Sequence, residues 1–269
     1  MEEHGARQRS WSGAIAWSAL APYRHFLARR VADEDRWWVL VSVEGSAVRD
    51  APDLSDGAWW YGHIGYDEKN VLEALHSRHA AHDGFAQHAW RRADIIIELG
   101  AGAPVLHARG GHVPEGERLL QALIAPEPAL PLLPAVTWQR RTPRERYLEQ
   151  VGRLLQHIHR GDIYEVNYCT QRTAELRGFD PYAAFTRLMQ HSDAPFAGFY
   201  RDGDRYALCA SPERFLRIKN GLAIAQPMKG TRPRSADLLR DAALAHELAT
   251  DPKERSENIM ALDVSRNDL

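Results

Sequence analysis

Residues 196–225, FAGFYRDGDRYALCASPERFLRIKNGLAIA, read as four short strands: Phe196 to Tyr200, Arg205 to Cys209, Glu213 to Ile218 and Leu222 to Ala225. Asp202-Gly203 and Asn220-Gly221 separate them, and dipeptides of this kind close tight hairpins because the backbone must enter positive φ there. Strands joined by tight hairpins are antiparallel, so the stretch predicts an antiparallel meander and not a parallel β-α-β array. Upstream, Tyr147, Val151, Leu154, Leu155 and Ile158 recur at helical spacing. Thr142 is expected to cap that helix, Pro143 to occupy its first position, Glu145 to complete a capping box and Gly161 to end it. Helices beside antiparallel strands give the class α+β.

Further outward, Trp37 to Val43, Ala58 to Tyr66 and Ile95 to Leu99 read as strands of an N-terminal region, and Asp67 to Leu75 as a short helix. The Pro-rich stretch 126–136 lacks periodicity and reads as a semi-rigid connector. The sequence therefore predicts an N-terminal region 1–125, the connector, and a second region 137–269. That second region closes with a helix over Ala236 to Ala249. A last helix follows, opened by Asp251-Pro252-Lys253-Glu254, which supplies a cap, a first-position proline and an acidic third position.

The chain has 269 residues, of which 44% are hydrophobic and 26% charged, enough to build a large core. Lys plus Arg (34) against Asp plus Glu (36) gives a net charge of −2, so no basic excess points to nucleic acid or an anionic membrane. The charged start, Met1 to Ser10, lacks the apolar core of a signal peptide. No stretch approaches the roughly 20 apolar residues of a membrane span. Cys169 and Cys209 fit neither a zinc cluster nor a disulfide framework and lie in strand-like runs, where buried thiols are common. The expected setting is the reducing cytoplasm.

Chemistry concentrates at one end of the Asn220-Gly221 hairpin. Pro227 fixes φ before Lys229 and Gly230 lets the chain turn after it, a setting in which an amine can be desolvated and act as a nucleophile. Counting back from the turn, Glu213 lies at the same end of the hairpin as the residues before Lys229, so an acid and an amine can share one cleft. Glu257 shares a helical stripe with Met260, Ala261 and Val264, where a carboxylate needs a cation, a metal or a proton. Glu254 lies on much the same face, and the pair could present oxygens to Mg²⁺, although Glu254 serves equally as a helix-cap residue. His76, His79 and His82 drift around a helix and read as a solvated face.

Four stretches carry a resemblance. Gly161-Asp162-Ile163-Tyr164-Glu165-Val166-Asn167, Ser211-Pro212-Glu213-Arg214-Phe215, Pro227-Met228-Lys229-Gly230-Thr231-Arg232-Pro233-Arg234 and Glu257-Asn258-Ile259-Met260-Ala261-Leu262-Asp263-Val264-Ser265-Arg266-Asn267-Asp268 together resemble the chorismate-utilising enzymes. The likeness is nearest to the aminodeoxychorismate synthase component I members. It implies antiparallel sheets forming a sandwich-like core flanked by helices.

It also implies conversion of chorismate and ammonia to 4-amino-4-deoxychorismate, a precursor of p-aminobenzoate and folate, with ammonia delivered by a glutamine amidotransferase subunit. In that scheme Glu213 is the acid that helps the C4 hydroxyl depart, Lys229 attacks C2, Gly230 and Thr231 bind substrate, and Glu257, with Glu254, holds Mg²⁺. Glu165 stands where isochorismate and salicylate synthases carry a water-activating lysine, which disfavours water addition. Anthranilate synthase component I is the enzyme alternative, since its members resemble Pro-Ile-Ala-Gly-Thr around position 229. The family's domain continues well past an Arg-Asn-Asp motif such as Arg266-Asn267-Asp268, so the resemblance further implies a chorismate-binding domain represented by its N-terminal part. An inactive truncated fragment or a non-catalytic binding module is the third reading.

Overall fold

In the computed structural model, which describes residues 13–43, 46, 48–53, 55–77 and 83–269, seven strands precede the Pro-rich segment: β1 (His25–Val31), β2 (Arg36–Val41), β3 (Val48–Arg49), β4 (Trp60–Ile64), β5 (His88–Arg92), β6 (Ile95–Gly100) and β7 (Val105–Ala108). Helices α1 (Lys69–Leu72) and α2 (Val113–Leu123) lie in the same half. The other half runs β8 (Gln139–Arg140), α3 (Arg144–His159), β9 (Arg172–Thr173), α4 (Pro181–His191), β10 (Phe196–Asp202), β11 (Arg205–Ser211), β12 (Arg214–Lys219), β13 (Leu222–Gln226), α5 (Leu238–Thr250) and α6 (Pro252–Asp268). The class is α+β, and among the described residues all the strand pairings are antiparallel. Calls on Met1 to Ser10, His79 and His82 concern positions outside the described residues.

Two compact units divide the chain: one runs up to Pro128 and resumes at Phe185, and the other is Ala129–Ala184. The first unit is built on a six-stranded sheet of order β11-β10-β1-β2-β6-β7. Strands from both sides of residues 126–136 therefore share one sheet, and the Pro-rich segment leads out to the second unit without separating two independent regions. The joint is the backbone register of β1 with β10, where Phe26 faces Arg201 and Ala28 faces Phe199. Pairing across so much intervening sequence leaves no mark in local periodicity.

Both turn dipeptides form hairpins. Asp202 pairs with Arg205 around Gly203 at φ 64°. Lys219 pairs with Leu222 around Asn220 at φ 54° and Gly221 at φ 75°, the two positive values of a type I′ turn. The four strands do not run on as one meander, however. Ser211 ends β11 in the large sheet, and among the described residues β12 pairs with β13 alone in a two-stranded sheet.

One face of the large sheet carries Phe26, Val39, Val41, Ile95, Ile97 and Leu99, all fully buried, together with Leu119, Leu120 and Leu123 of α2. Phe185 of α4 stacks on Phe199 of β10 at 4.7 Å, and Phe26 meets Phe199 edge-on at 5.0 Å. Burying each such ring stabilises the fold by about 1.5–3 kcal/mol. On the opposite face Leu40, Ile96 and Tyr200 form a buried cluster with Tyr61 and Ala93, against which Trp38, Trp59 and Phe85 pack. Tyr61 belongs to a three-stranded sheet of order β3-β5-β4, so two sheets stack face to face.

Hairpin β12–β13 is tied down through its charged residues. Arg214 lies over the Phe196 ring at 4.8 Å and pairs with Asp33 at 2.6 Å, and Arg217 also pairs with Asp33. The apolar residues between them point outward, leaving Phe215 91% exposed. Cys209 and Cys169 are both exposed, contrary to the expectation of buried thiols: Cys209 lies at an exposed position of β11, and Cys169 lies outside any strand. Among the described residues no helix is long and apolar enough to cross a membrane.

In the second unit α3 starts at Arg144, one residue later than the pattern predicts. Pro143 has ψ 155° and sits at the cap position, and no side chain caps the helix. Gly161 does end it, at φ 77°, with its N–H donating to Ile158 O and that of Asp162 to His157 O. The apolar stripe of α3 buries no residue.

Candidate functional site

The connection between β11 and β12 and the chain leaving β13 meet at one end of the hairpin. Arg214 pairs in register with Gln226 and donates from Nε to its side-chain oxygen at 2.7 Å, clamping that end shut. Just beyond the clamp, Glu213 is held by a Ser turn, its N–H donating to Ser211 Oγ at 3.2 Å. Its carboxylate Oε1 accepts the backbone N–H of Met228 at 3.2 Å. Glu213 therefore reaches the residue directly before Lys229, as counting back from the turn predicts. Lys229 is half-buried, while Glu213 is exposed.

Beyond Lys229 the loop is fastened to the two last helices of the first unit. Gly230 has φ 79°, and a Cβ there would collide with Glu254 Oε2 and stand 3.1 Å from Leu248 Cδ1. Both facts make glycine the residue that fits. Arg232 next spreads its guanidinium over three carboxylates: Nε to Glu247 at 2.9 Å, Nη2 to Asp251 at 3.0 Å and Nη1 to Glu254 at 3.1 Å. Hydrogen bonds to Glu247 and Glu254 hold the Arg232 proton more tightly than usual.

Asp251 also caps α6, accepting from Lys253 N at 2.9 Å and Glu254 N at 3.1 Å. Those backbone hydrogen bonds, that of Glu254 first, lower its affinity for a proton despite some desolvation. Arg234 makes a two-pronged contact with Asp241, which also accepts Ser235 N at 2.9 Å. The Arg234 hydrogen bond, with that of Ser235, holds the Asp241 carboxyl down to about 2.

The expected metal ligands take other partners. Glu254 faces Arg232, and Glu257 pairs with Lys253 one turn earlier at 3.0 Å. Of the apolar stripe assigned to α6, Val264 is exposed and Met260 and Ala261 are half-buried, and Glu257, itself half-buried, already has the Lys253 ammonium as its cation. Among the described residues no three or more His, Cys, Asp or Glu side chains gather where they could hold an ion. Mg²⁺ is held by one or two carboxylates completed with water and substrate oxygens, and in this arrangement both carboxylates are taken up by protein cations that the ion would have to displace.

Thr231 is exposed beside this loop, and Glu165 is exposed in the second unit. A cavity of about 420 Å³ lined by His63, Tyr66, Phe85, Gln87 and Tyr200 contains none of the expected site residues. Sequence reading missed Arg232 and its acidic partners as a unit. No local spacing marks the unit, because Glu247 lies on α5, Asp251 at the cap between the helices and Glu254 on α6.

Comparison with known proteins places this geometry in context. The sequence model described as chorismate binding enzyme matches residues 3–269. Over 150 residues the chain is 39% identical to aminodeoxychorismate synthase component 1 of Klebsiella aerogenes, a match covering 56% of this chain and 33% of that protein. It is also 39% identical over 179 residues to aminodeoxychorismate synthase of Streptomyces griseus, covering 66% of this chain and 23% of the relative. Anthranilate synthase component 1 of Thermus thermophilus is 39% identical over 126 residues, covering 47% and 27%. The chain thus spans a third or less of these relatives' length. The structure of anthranilate synthase component I from Streptococcus pneumoniae superposes with a TM-score of 0.66 at 19% identity, covering all of this chain and 62% of that one, a likeness of fold.

Proposed function

Because the chain belongs to the family of chorismate binding enzymes, we propose that it contributes the nucleophile and the acid of an aminodeoxychorismate synthase. Lys229 Nζ attacks C2 of chorismate as the C4 hydroxyl leaves as water, with Glu213 supplying the proton. Ammonia then forms the bond at C4, and the Lys229 amine departs from C2, regenerating the lysine. The ammonia comes from a glutamine amidotransferase subunit, and the product feeds p-aminobenzoate and folate synthesis in the cytoplasm.

The observation that carries this reading is the hydrogen bond from Met228 N to Glu213, which brings a carboxyl group to the residue adjoining the lysine. A general acid and a nucleophile working on two carbons of one ring need that proximity. Anthranilate synthase relatives match as well in identity. Lys229 favours the aminodeoxychorismate branch, because anthranilate synthases resemble Pro-Ile-Ala-Gly-Thr in this stretch. Incubation with chorismate, ammonium and Mg²⁺, followed by mass spectrometry of the products, tests the proposal. Aminodeoxychorismate is the expected product; anthranilate with release of pyruvate would replace this reading with the anthranilate synthase one.

A further inference from the structure

We infer that Arg232 is the positioning residue for Lys229, with Glu254 as its strut, an inference that rests on reading Lys229 as the nucleophile. A lysine carries four flexible carbons, so its reach is useful only if the backbone bearing it is fixed. The backbone before Lys229 is fixed by Glu213 through Met228 N. The backbone after it is fixed by Arg232, whose fork joins three carboxylates drawn from the end of α5, the cap between the helices and the first turn of α6.

This arrangement sets one cation among three carboxylates. Three carboxylates set around one point repel each other unless a cation sits among them, and a planar guanidinium spreads five donors in a rigid fork where an ammonium offers three from a single point. Glu254 has a second duty. Its Oε2 occupies the space that a side chain at position 230 would need, so the loop closes on Glu254 only because residue 230 is glycine at positive φ. The loop and α6 thus interlock through Gly230, Arg232 and Glu254. The carboxylate is a structural partner of the nucleophile's loop in this arrangement.

Two readouts test the inference on the whole protein. In Arg232→Ala, hydrogen exchange at the amides of residues 228–231 and 253–255 is expected to speed by at least tenfold, with β1, β2 and β6 unchanged. In the same variant kcat for aminodeoxychorismate is expected to fall by on the order of 10²-fold while KM for chorismate changes little, since Arg232 orients the lysine without touching substrate. Arg232→Lys should recover part of both losses, and Glu254→Gln, which keeps shape and lowers charge, should loosen residues 228–231 less than Arg232→Ala does.

Wild-type exchange at 228–231 in Arg232→Ala would overturn the inference whatever the activity. So would loosened exchange with unchanged kcat. If the wild-type protein forms no aminodeoxychorismate, the nucleophile reading fails and takes the positioning role with it, while the exchange data still decide separately whether Arg232 fastens the loop.

Discussion

The Glu213 carboxylate accepts a hydrogen bond from the Met228 backbone N–H at 3.2 Å, joining the connection between two sheets to the loop that bears Lys229. A glutamine at 213 keeps an oxygen to accept that bond but has no proton to give. Glu213→Gln is therefore expected to lower kcat by about 10²–10⁴-fold, the usual worth of a general acid. Its thermal midpoint should stay within about a degree of wild type, as exposed substitutions that preserve contacts cost little. Parallel rate and melting measurements check this, and a large fall in stability would assign Glu213 to the fold.

The Phe26, Phe185 and Phe199 rings form the centre of the first unit, all three fully buried. Phe199→Ala removes a ring that touches both others and leaves a cavity, which is expected to cost about 3–5 kcal/mol. Urea unfolding with an unchanged m-value and a lowered midpoint would report it. A loss under about 1 kcal/mol would place the core elsewhere.

Asp241 is held down to about 2 from an ordinary value of 3.8, by Arg234 first and then by Ser235 N. A carboxyl whose folded value is depressed stabilises the fold fully above its unfolded value and loses that contribution as pH falls through the folded one. The clamp on residues 234–241 is thus expected to persist at pH 4 and to open between about pH 4 and 2. The Ser235 amide shift, followed by NMR, should titrate with a midpoint near the lower value. A midpoint near 4 would mean that the clamp does not form in solution.

Glu254 and Glu257 each face a cation of the protein, so Mg²⁺ added to these residues without chorismate is expected to leave the thermal midpoint unchanged. A resident site would stabilise by roughly 2.7 kcal/mol at a hundredfold excess over Kd. A Mg²⁺-dependent rise abolished in Glu257→Gln would contradict the expectation.

The two hairpins were legible because Asn220-Gly221 and the Gly203 turn impose their geometry locally, and the Asp251 cap was legible for the same reason. From the first of these turns the shared end of Glu213 and Lys229 followed by counting. Strand β1 was not legible: Arg29 and Arg30 interrupt its apolar pattern, and its burial depends on partners far away in sequence. Strand β12 was legible as a strand but its facing was not: its arginines face Asp33 while Phe215 faces outward, the reverse of what hydropathy suggests. Arg232 escaped notice because its role lies in bringing together α5, α6 and the loop, a relation that appears only once the chain is folded.

The central claim is that Lys229 forms a bond to the substrate. Intact-mass and peptide mapping of the protein incubated with chorismate and Mg²⁺, with ammonia withheld, tests it most directly. The expected result is an adduct on Lys229 equal to chorismate less one water, absent in Lys229→Ala and discharged when ammonium is added. Aminodeoxychorismate formation by Lys229→Ala at the wild-type rate, with no adduct on the wild-type protein, would contradict the account.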